Sequence, residues 1–202
     1  MLAIGNHRVT CGNIADAQVD IMLAGEKVDV LYCDPPFGNM TYWQTLAKRQ
    51  TGAAPTQITH EQLYDRMVGL IRRYVFGWVF IETGIKFQGY ATHRLEEAGL
   101  KNIRSHVLKY QSGSSLLENI FLCGSTLANS PPFTFDPTPF RGAALPRNVV
   151  QQVAVKGGIL LDPCCGMGYS ARAAVANGMR FRGNEFNQHR LNSTIEFLRK
   201  TQ

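Results

Sequence analysis

Short apolar runs of strand length alternate with amphipathic segments along most of the chain, and this alternation predicts an α/β fold. The apolar runs predict seven strands, at 7–11, 28–33, 77–83, 103–110, 116–123, 159–162 and 180–184. Apolar positions at helical spacing predict helices at 14–23, 59–74, 86–98, 146–154 and 169–176, and a last helix that ends near Lys200. The turn at 111–115 joins two of the strands into an antiparallel hairpin.

The segment 38–59 interrupts this alternation. It is polar, contains glycine, proline and threonine, and is too long to be a simple connector, so it predicts a functional loop. Thr59 and Gln62 then match a capping box at the start of the next helix. Because right-handed crossovers join strands that alternate with helices, most of the sheet should be parallel, with helices on both faces.

Composition narrows the class of protein. The chain has 202 residues, of which 45% are apolar, and this is enough for one domain with a proper core. The net charge of +6 favours a polyanionic partner. Residues 1–10 lack the apolar core of a signal peptide and no apolar run approaches membrane-spanning length, so we expect a cytoplasmic protein without membrane contact. The cysteines and histidines show no metal-ligand spacing, so we expect reduced thiols and no metal site.

The first candidate site is the motif Asp34-Pro35-Pro36-Phe37, which follows the predicted strand at 28–33. Two consecutive prolines have no backbone N–H and cannot continue a sheet ladder. The motif therefore presents a carboxylate, a carbonyl and an aromatic face, a set that suits a planar group carrying an NH2, such as adenine or cytosine. The alternative is a plain strand-ending turn.

The second candidate site follows the predicted strand at 159–162. Asp162 is followed by Pro163, two cysteines and a Gly-x-Gly turn, and a helix then begins at Tyr169. The next predicted strand ends at Glu185. This order is typical of βαβ nucleotide-binding units, in which glycines let the backbone approach the ligand and an acid after the second strand holds ribose hydroxyls. No third glycine follows, so the dinucleotide fingerprint is incomplete.

Together these residues resemble the S-adenosylmethionine-dependent amino-methyltransferases, which methylate exocyclic nitrogens of bases. Asp34-Pro35-Pro36-Phe37 matches the catalytic (D/N/S)-P-P-(Y/F/W) motif, and the segment 162–168 matches the cofactor loop, commonly D-P-F-x-G-x-G. The catalytic motif precedes the cofactor loop, which is the order of the β group of the DNA N6-adenine and N4-cytosine methyltransferases. The resemblance extends along almost the whole chain.

The resemblance implies a single Rossmann-like methyltransferase domain over 1–202, with a seven-stranded mostly parallel sheet, an antiparallel hairpin and a circularly permuted motif order. Its catalytic half would span about 1–123 and its cofactor half about 143–202, without a separate target-recognition domain. Asp34 and Pro35 would bind the amine and Phe37 would stack on the base. The implied cofactor-binding residues are Asn13, Cys33, Asp162, Pro163, Cys164, Gly166, Gly168, Tyr169 and Glu185.

DNA is the expected partner, with RNA as the alternative. Tyr42, Trp43, Lys48 and Arg49 lie in the predicted loop beside the catalytic motif, and interleaved aromatic and basic residues suit base stacking and phosphate contact. A lid role for Trp43, with the two cations solvated, is the other interpretation. A homodimer or an accessory specificity subunit is left open, and a bacterial or phage origin is expected.

Three functions compete. The acid in the first motif position favours N6-adenine methylation of DNA over the Ser-Pro-Pro pattern typical of N4-cytosine enzymes. An RNA or N4-cytosine methyltransferase is the second hypothesis. The third is a non-catalytic nucleic-acid-binding subunit, although the intact Asp34, prolines and glycine loop argue against it.

Overall fold

One mixed sheet of eight strands organises the chain in a computed structural model, which describes residues 1–36, 45–46, 48–50, 58–112, 115–136 and 142–202. The strands are β1 (Leu2–Ile4), β2 (His7–Cys11), β3 (Val28–Cys33), β4 (Val75–Gly84), β5 (Lys101–Ser112), β6 (Ser115–Ser125), β7 (Ile159–Asp162) and β8 (Arg180–Glu185). The helices are α1 (Gln18–Leu23), α2 (His60–Tyr74), α3 (Gln88–Glu97), α4 (Ala144–Val153), α5 (Tyr169–Ala176) and α6 (Gln188–Lys200), and a 3-10 turn spans Ile85–Phe87.

The prediction of seven strands is wrong, because β1 adds an eighth at the edge of the sheet. It pairs antiparallel with β2, with Ile4 opposite His7. The two residues between them, Gly5 and Asn6, form the tight turn, and Gly5 has a positive φ of 53° that suits glycine. A Gly-Asn pair between two short apolar runs is a hairpin signal, but β1 is only three residues long and gives little periodicity.

The strand order is β1-β2-β8-β7-β3-β4-β6-β5. Strands β2, β8, β7, β3 and β4 run parallel to one another, while β6 pairs antiparallel with both β4 and β5. The predicted antiparallel hairpin is therefore confirmed as β5–β6. From β3 the chain moves to β4 on one side, and from β7 it moves to β8 on the other. The order thus reverses between β3 and β7, where open α/β sheets bind ligands.

Helices cover both faces of the sheet, as predicted. Leu31, Cys33 and Ile81 point to the face covered by α1, α2 and α3. The alternate residues Tyr32 and Phe80 point to the face covered by α4, α5 and α6. This alternation follows from the two-residue period of a strand.

Local capping explains where the helices begin. Thr59 and Gln62 form the predicted capping box at the start of α2. The predicted helix at 14–23 begins later, at Gln18, because the Asn13 side chain accepts a hydrogen bond from the backbone N–H of Ala15 and forms a turn there. Most of the predicted loop at 38–59 lies outside the described residues, but its residues 45–46 and 48–50 are helical. Within the described ranges, no helix has the length and apolar character needed to cross a membrane.

Candidate active site

The carboxyl ends of four parallel strands converge at the point where the strand order reverses. Asp34 follows β3, Asp162 ends β7, Glu185 ends β8 and Glu82 lies near the end of β4. Strands β3 and β7 are hydrogen-bonded neighbours, with Leu31 opposite Leu161. The two candidate sites, which most of the chain separates in sequence, therefore meet at one edge of the sheet.

Asp34 is accessible to solvent, and its pKa is raised. Its side chain is exposed, while Pro35 is buried and Pro36 half-buried. The protein mass around Asp34 still desolvates it and raises the pKa of its carboxyl to about 6, and the Arg190 guanidinium opposes this rise. At neutral pH this carboxyl is mostly ionised and is accessible to an amine donor.

Hydrogen bonds from three directions hold the glycine loop after β7. The Cys165 N–H donates to the Asn184 carbonyl (2.8 Å) and the Gly166 N–H donates to Glu185 Oε2 (2.8 Å). The Thr194 hydroxyl donates to the Gly166 carbonyl (3.1 Å). The loop is therefore held in place by bonds within the protein.

Both loop glycines are required by the backbone. Gly166 and Gly168 have φ values of 52° and 83°, which side chains of L-residues rarely adopt. A Cβ on Gly166 would lie 2.7 Å from Arg190 Nη2, and a Cβ on Gly168 would lie 2.7 Å from Thr194 Oγ1. Both glycines are buried and α5 begins directly after the loop, an arrangement typical of nucleotide-binding βα turns.

Asp162 is buried beneath this loop. Oδ1 accepts from the Cys164 N–H (2.9 Å) and Oδ2 accepts from the Ser170 hydroxyl. Burial raises the pKa of Asp162 to about 7, with further increases from the charges of Asp34 and Glu185, while its two hydrogen bonds act in the opposite direction. Two carboxyl groups thus destabilise the ionised form of a third.

The free energy of unfolding should therefore depend on pH through the ionisation of Asp162. Its folded pKa lies above the value of about 3.9 in an unfolded chain, so its contribution is complete below pH 4 and is lost as the pH rises through about 7. Asp162→Asn keeps an acceptor for the Cys164 N–H and a donor toward Ser170 without the charge. Relative to wild type, its free energy of unfolding should rise by roughly 3 kcal/mol between pH 4.5 and pH 8. Urea unfolding of the cofactor-free protein at both pH values measures this change.

Asp16→Asn is a suitable control for this prediction, because it removes an exposed carboxylate. The stability difference between Asp16→Asn and wild type should change little over the same pH range. If the difference between Asp162→Asn and wild type were also the same at pH 4.5 and pH 8, Asp162 would not have the raised pKa.

The remaining predicted residues fall into three groups. Cys33 and Cys164 lie within hydrogen-bonding reach of each other beside the loop, and Tyr169 is exposed at the first position of α5. Asn13 follows β2, and its side-chain oxygen accepts a hydrogen bond from the Ala15 N–H. Lys48 and Arg49 are exposed and helical, and Phe37, Tyr42 and Trp43 lie outside the described residues.

No protein-family model and no curated protein matches the sequence, but solved structures do. The M1.HpyAVI–SAM complex superposes with a TM-score of 0.69 at 16% identity, over 95% of this chain and 98% of that one. TTHA0409 of Thermus thermophilus, a proposed DNA modification methylase, gives 0.68 at 16% identity over 96% and 95%. PvuII DNA methyltransferase, which is cytosine-N4-specific, gives 0.65 at 11% over 98% and 87%. This chain has the methyltransferase fold.

Within that methyltransferase fold, several supporting residues were missed by the sequence analysis. Asn184 donates from Nδ2 to the carbonyls of Gly12 and Pro163, both at 3.0 Å, and so ties three strand ends together. Burial raises the pKa of both Asp34 and Glu185, and Arg190, near the start of α6, opposes this rise. Asn184 directly precedes the predicted acid and could have been suspected, but no local pattern singles out Arg190 or Thr194. In the described part of the chain, no cluster of His, Cys, Asp and Glu could hold a metal ion.

Proposed function

We propose that this chain transfers a methyl group from S-adenosylmethionine to the exocyclic N6 amine of adenine in DNA. The observation that carries the proposal is the position of Asp34-Pro35-Pro36 beside the glycine loop after β7, at the reversal of strand order. An acceptor-rich motif and a nucleotide-type loop thus share one edge of the sheet.

The residues present fit a cationic nucleoside cofactor. Asp34, Glu82, Asp162 and Glu185 all have raised pKa values, primarily through burial. A positively charged ligand would relieve the repulsion among them, and S-adenosylmethionine carries a sulfonium and an ammonium group. TTHA0409 has been crystallised with S-adenosyl-L-methionine and shares this fold, with a TM-score of 0.65 at 16% identity.

Each side of the cleft has a distinct task in this proposal. Glu185 binds the ribose hydroxyls, and the backbone of the segment 162–168 binds the methionine part. Asn13, Cys33 and Tyr169 line the same site. When bound, the cofactor supplies an electrophilic methyl group.

The chemistry of the acceptor explains the catalytic motif. The lone pair of an aromatic amine is delocalised into the ring, so the amine is a poor nucleophile. Hydrogen bonds from its NH2 to the Asp34 carboxylate and the Pro35 carbonyl localise the lone pair on nitrogen and orient it, and orientation supplies much of the rate. The ionised Asp34 then offers an acceptor for the proton that the methylated nitrogen loses. Phe37 stacks on the base, which must be flipped out of a duplex.

Adenine is the proposed base because an acid, rather than a serine, occupies the first motif position. N4-cytosine is the second candidate, and the likeness to the cytosine-N4-specific PvuII enzyme favours it. Both bases present an exocyclic amine beside a ring nitrogen, so the same motif serves either.

We also propose a circularly permuted arrangement within one domain. Strand β7, near the end of the chain, lies at the centre of the sheet beside β3, and this order supports the proposal. The interval between β6 and α4, residues 126–143, is too short for an independent recognition module, so the acceptor would be read by loops of this domain.

Nucleoside mass spectrometry tests the proposed activity. The protein is incubated with labelled S-adenosylmethionine and either mixed-sequence DNA or mixed RNA, and the products are digested to nucleosides. We expect labelled N6-methyladenine from the DNA. Labelled N4-methylcytosine would instead establish the second candidate, and label confined to RNA would refute DNA as the acceptor. No transfer to any base would contradict the proposed function.

The surface at Lys48 and Arg49 should bind DNA phosphates. Both residues are exposed, and the neighbouring Gln50 accepts a hydrogen bond from Asn187 Nδ2, two residues beyond Glu185. The double variant Lys48→Ala, Arg49→Ala should weaken DNA binding and reduce the slope of log affinity against log salt by up to about two. Fluorescence anisotropy across a salt titration measures this slope.

The matched control for this prediction is Arg199→Ala, Lys200→Ala, which removes two exposed cations from the last turn of α6. This control should leave the slope nearly unchanged. Equal slopes for wild type and the Lys48→Ala, Arg49→Ala variant would remove this segment from the DNA-binding surface.

A further inference from the structure

Glu82 lies beside the catalytic motif, although no sequence motif contains it. In the parallel pair β3–β4, Tyr32 is opposite Phe80 and Cys33 is opposite Ile81. Continuing this register places Asp34 next to Glu82. Since residues two apart share a face of a strand, Asp34 and Glu82 extend the row begun by Tyr32 and Phe80 on one face of the sheet.

A hydrogen bond anchors the Glu82 side chain at this position. The Tyr32 hydroxyl donates to Glu82 Oε1 at 2.6 Å. Tyr32 keeps its proton because burial raises its pKa well above the usual range. Glu82 itself is only half-buried, and Tyr32 occupies one of its two carboxyl oxygens. Among the described residues, the second oxygen, Oε2, makes no such bond, so it can interact with a ligand in the cleft.

The surroundings of Glu82 favour its neutral form. Burial raises the pKa of its carboxyl well above the usual range, the charges of Asp34 and Asp162 add to this, and the Tyr32 hydrogen bond opposes it. On the other side, β6 presents the uncharged Phe121 opposite Glu82. Among the described residues, the Arg190 guanidinium stabilises the ionised form of Asp34 instead. Each of these adjacent carboxyls disfavours ionisation of the other, and because Arg190 favours the ionised form of Asp34, we expect the proton of the pair on Glu82.

We propose that Glu82 is a second acceptor-binding residue, which donates a hydrogen bond from its protonated Oε2 to the ring nitrogen next to the amine of the target base. The inference rests on the proposed function and deepens it. In adenine this nitrogen is N1 and in cytosine it is N3, and both are acceptors. Asp34 then accepts from the amine while Glu82 donates to its neighbour, so the pair complements the Watson–Crick edge of a flipped base.

This arrangement predicts a bell-shaped dependence of methyl transfer on pH. Activity should rise as Asp34 ionises through its pKa of about 6. It should fall at higher pH as Glu82 loses the proton that it donates. The fall in rate at alkaline pH therefore reports the ionisation of Glu82, and the rise in rate from acid pH reports that of Asp34. Because the two groups are coupled, both limbs give apparent pKa values of the pair.

Two substitutions at Glu82 separate the proton from the rest of the side chain. Glu82→Gln keeps a donor that does not titrate, so the alkaline fall should disappear while turnover at pH 7 stays within about threefold of wild type. Glu82→Ala removes the donor, and turnover should fall about tenfold across the pH range. An alkaline fall that persists unchanged in Glu82→Gln would overturn the proposal.

A modified base tests the contact directly. Wild type should methylate DNA containing 1-deazaadenine, which lacks the N1 acceptor, about tenfold more slowly than DNA containing adenine. Glu82→Ala should show a much smaller ratio between these two substrates, because the partner of N1 is already absent. Equal ratios for wild type and Glu82→Ala would also overturn the proposal. If cytosine is the acceptor, 3-deazacytosine takes the same place in the test.

A measurement on the wild-type protein does not depend on activity or on the folding of a variant. Carbon-13 labelling of the glutamate carboxyls, with Glu82→Gln used only to assign the signal, follows the ionisation of Glu82 by NMR. We expect the Glu82 carboxyl to be protonated at pH 7. An ionised carboxyl would refute the proposal even if the protein methylates DNA, whereas absent methyl transfer with a protonated Glu82 would refute the proposed function instead.

Discussion

Asp34→Ala should lose methyl transfer by at least about 10²-fold, because no carboxylate would then hold and orient the acceptor amine. Binding of S-adenosylmethionine should change little, since the glycine loop and Glu185 remain intact and are held by bonds that do not involve Asp34. Single-turnover methylation assays measure the first effect, and calorimetry with the cofactor measures the second.

Two control variants make this result specific. Asp34→Asn keeps an acceptor oxygen but removes the charge, so it should retain intermediate activity and lose the rise in rate near pH 6 that Asp34 ionisation causes. Asp65→Ala removes an exposed carboxylate of α2 that pairs with Arg94, and it should leave turnover unchanged. Near-normal turnover of Asp34→Ala would refute the proposed chemistry at this motif.

The elements that carry the site could be predicted because their signals are local. Strand β3 ends where the prolines of Asp34-Pro35-Pro36 remove the donors a ladder needs. Strand β7 ends at Asp162, and the turn after it contains Gly166 and Gly168, which have positive φ. The capping box of Thr59 and Gln62 likewise lies within four residues. Each signal depends on neighbours in sequence, so the sequence alone contains it.

The predicted elements contain two errors, the missed strand β1 and the early start of α1. Strand β1 has three residues, too few to show a period, and it is stable only because β2 is already in the sheet. Ile14 and Ala17 fit a helical face, so the apolar spacing predicts a start of α1 that is too early. In the structure, the Asn13 side chain makes a turn with the Ala15 N–H instead. Apolar spacing did not reveal this competing hydrogen bond.

The electrostatics of the site could not be predicted, because they depend on register between distant strands. Glu82 lies within an apolar strand and acquires its raised pKa only when β4 pairs with β3 and brings it next to Asp34 and Tyr32. Arg190 belongs to the last helix and reaches the site only through the packing of α6. Such residues have no motif of their own, so they become apparent only in the folded chain.

Glu185→Ala should weaken both the cofactor site and the fold. Glu185 is 7% exposed, and its two oxygens accept from the backbone N–H groups of Gly166 (2.8 Å) and Asn187 (2.9 Å). Its carboxylate is also the proposed partner of the ribose hydroxyls. Loss of a charge-assisted contact of about 1.5–3 kcal/mol should reduce S-adenosylmethionine affinity more than about tenfold in calorimetry. Separately, the two N–H groups left without a partner should lower the free energy of unfolding, at a cost of about 1–3 kcal/mol each.

Thr194→Ala separates the direct contact from a loosened loop, since the Thr194 hydroxyl holds the Gly166 carbonyl but has no proposed contact with the cofactor. It should lower the free energy of unfolding with only a small loss of affinity. If both variants lost affinity in proportion to their loss of stability, Glu185 would act through the loop and not through the ribose. Unchanged affinity in Glu185→Ala would remove Glu185 from the cofactor site altogether. A loss of affinity much larger in Glu185→Ala than in Thr194→Ala is the expected result, because, of these two residues, Glu185 alone has a proposed contact with the cofactor.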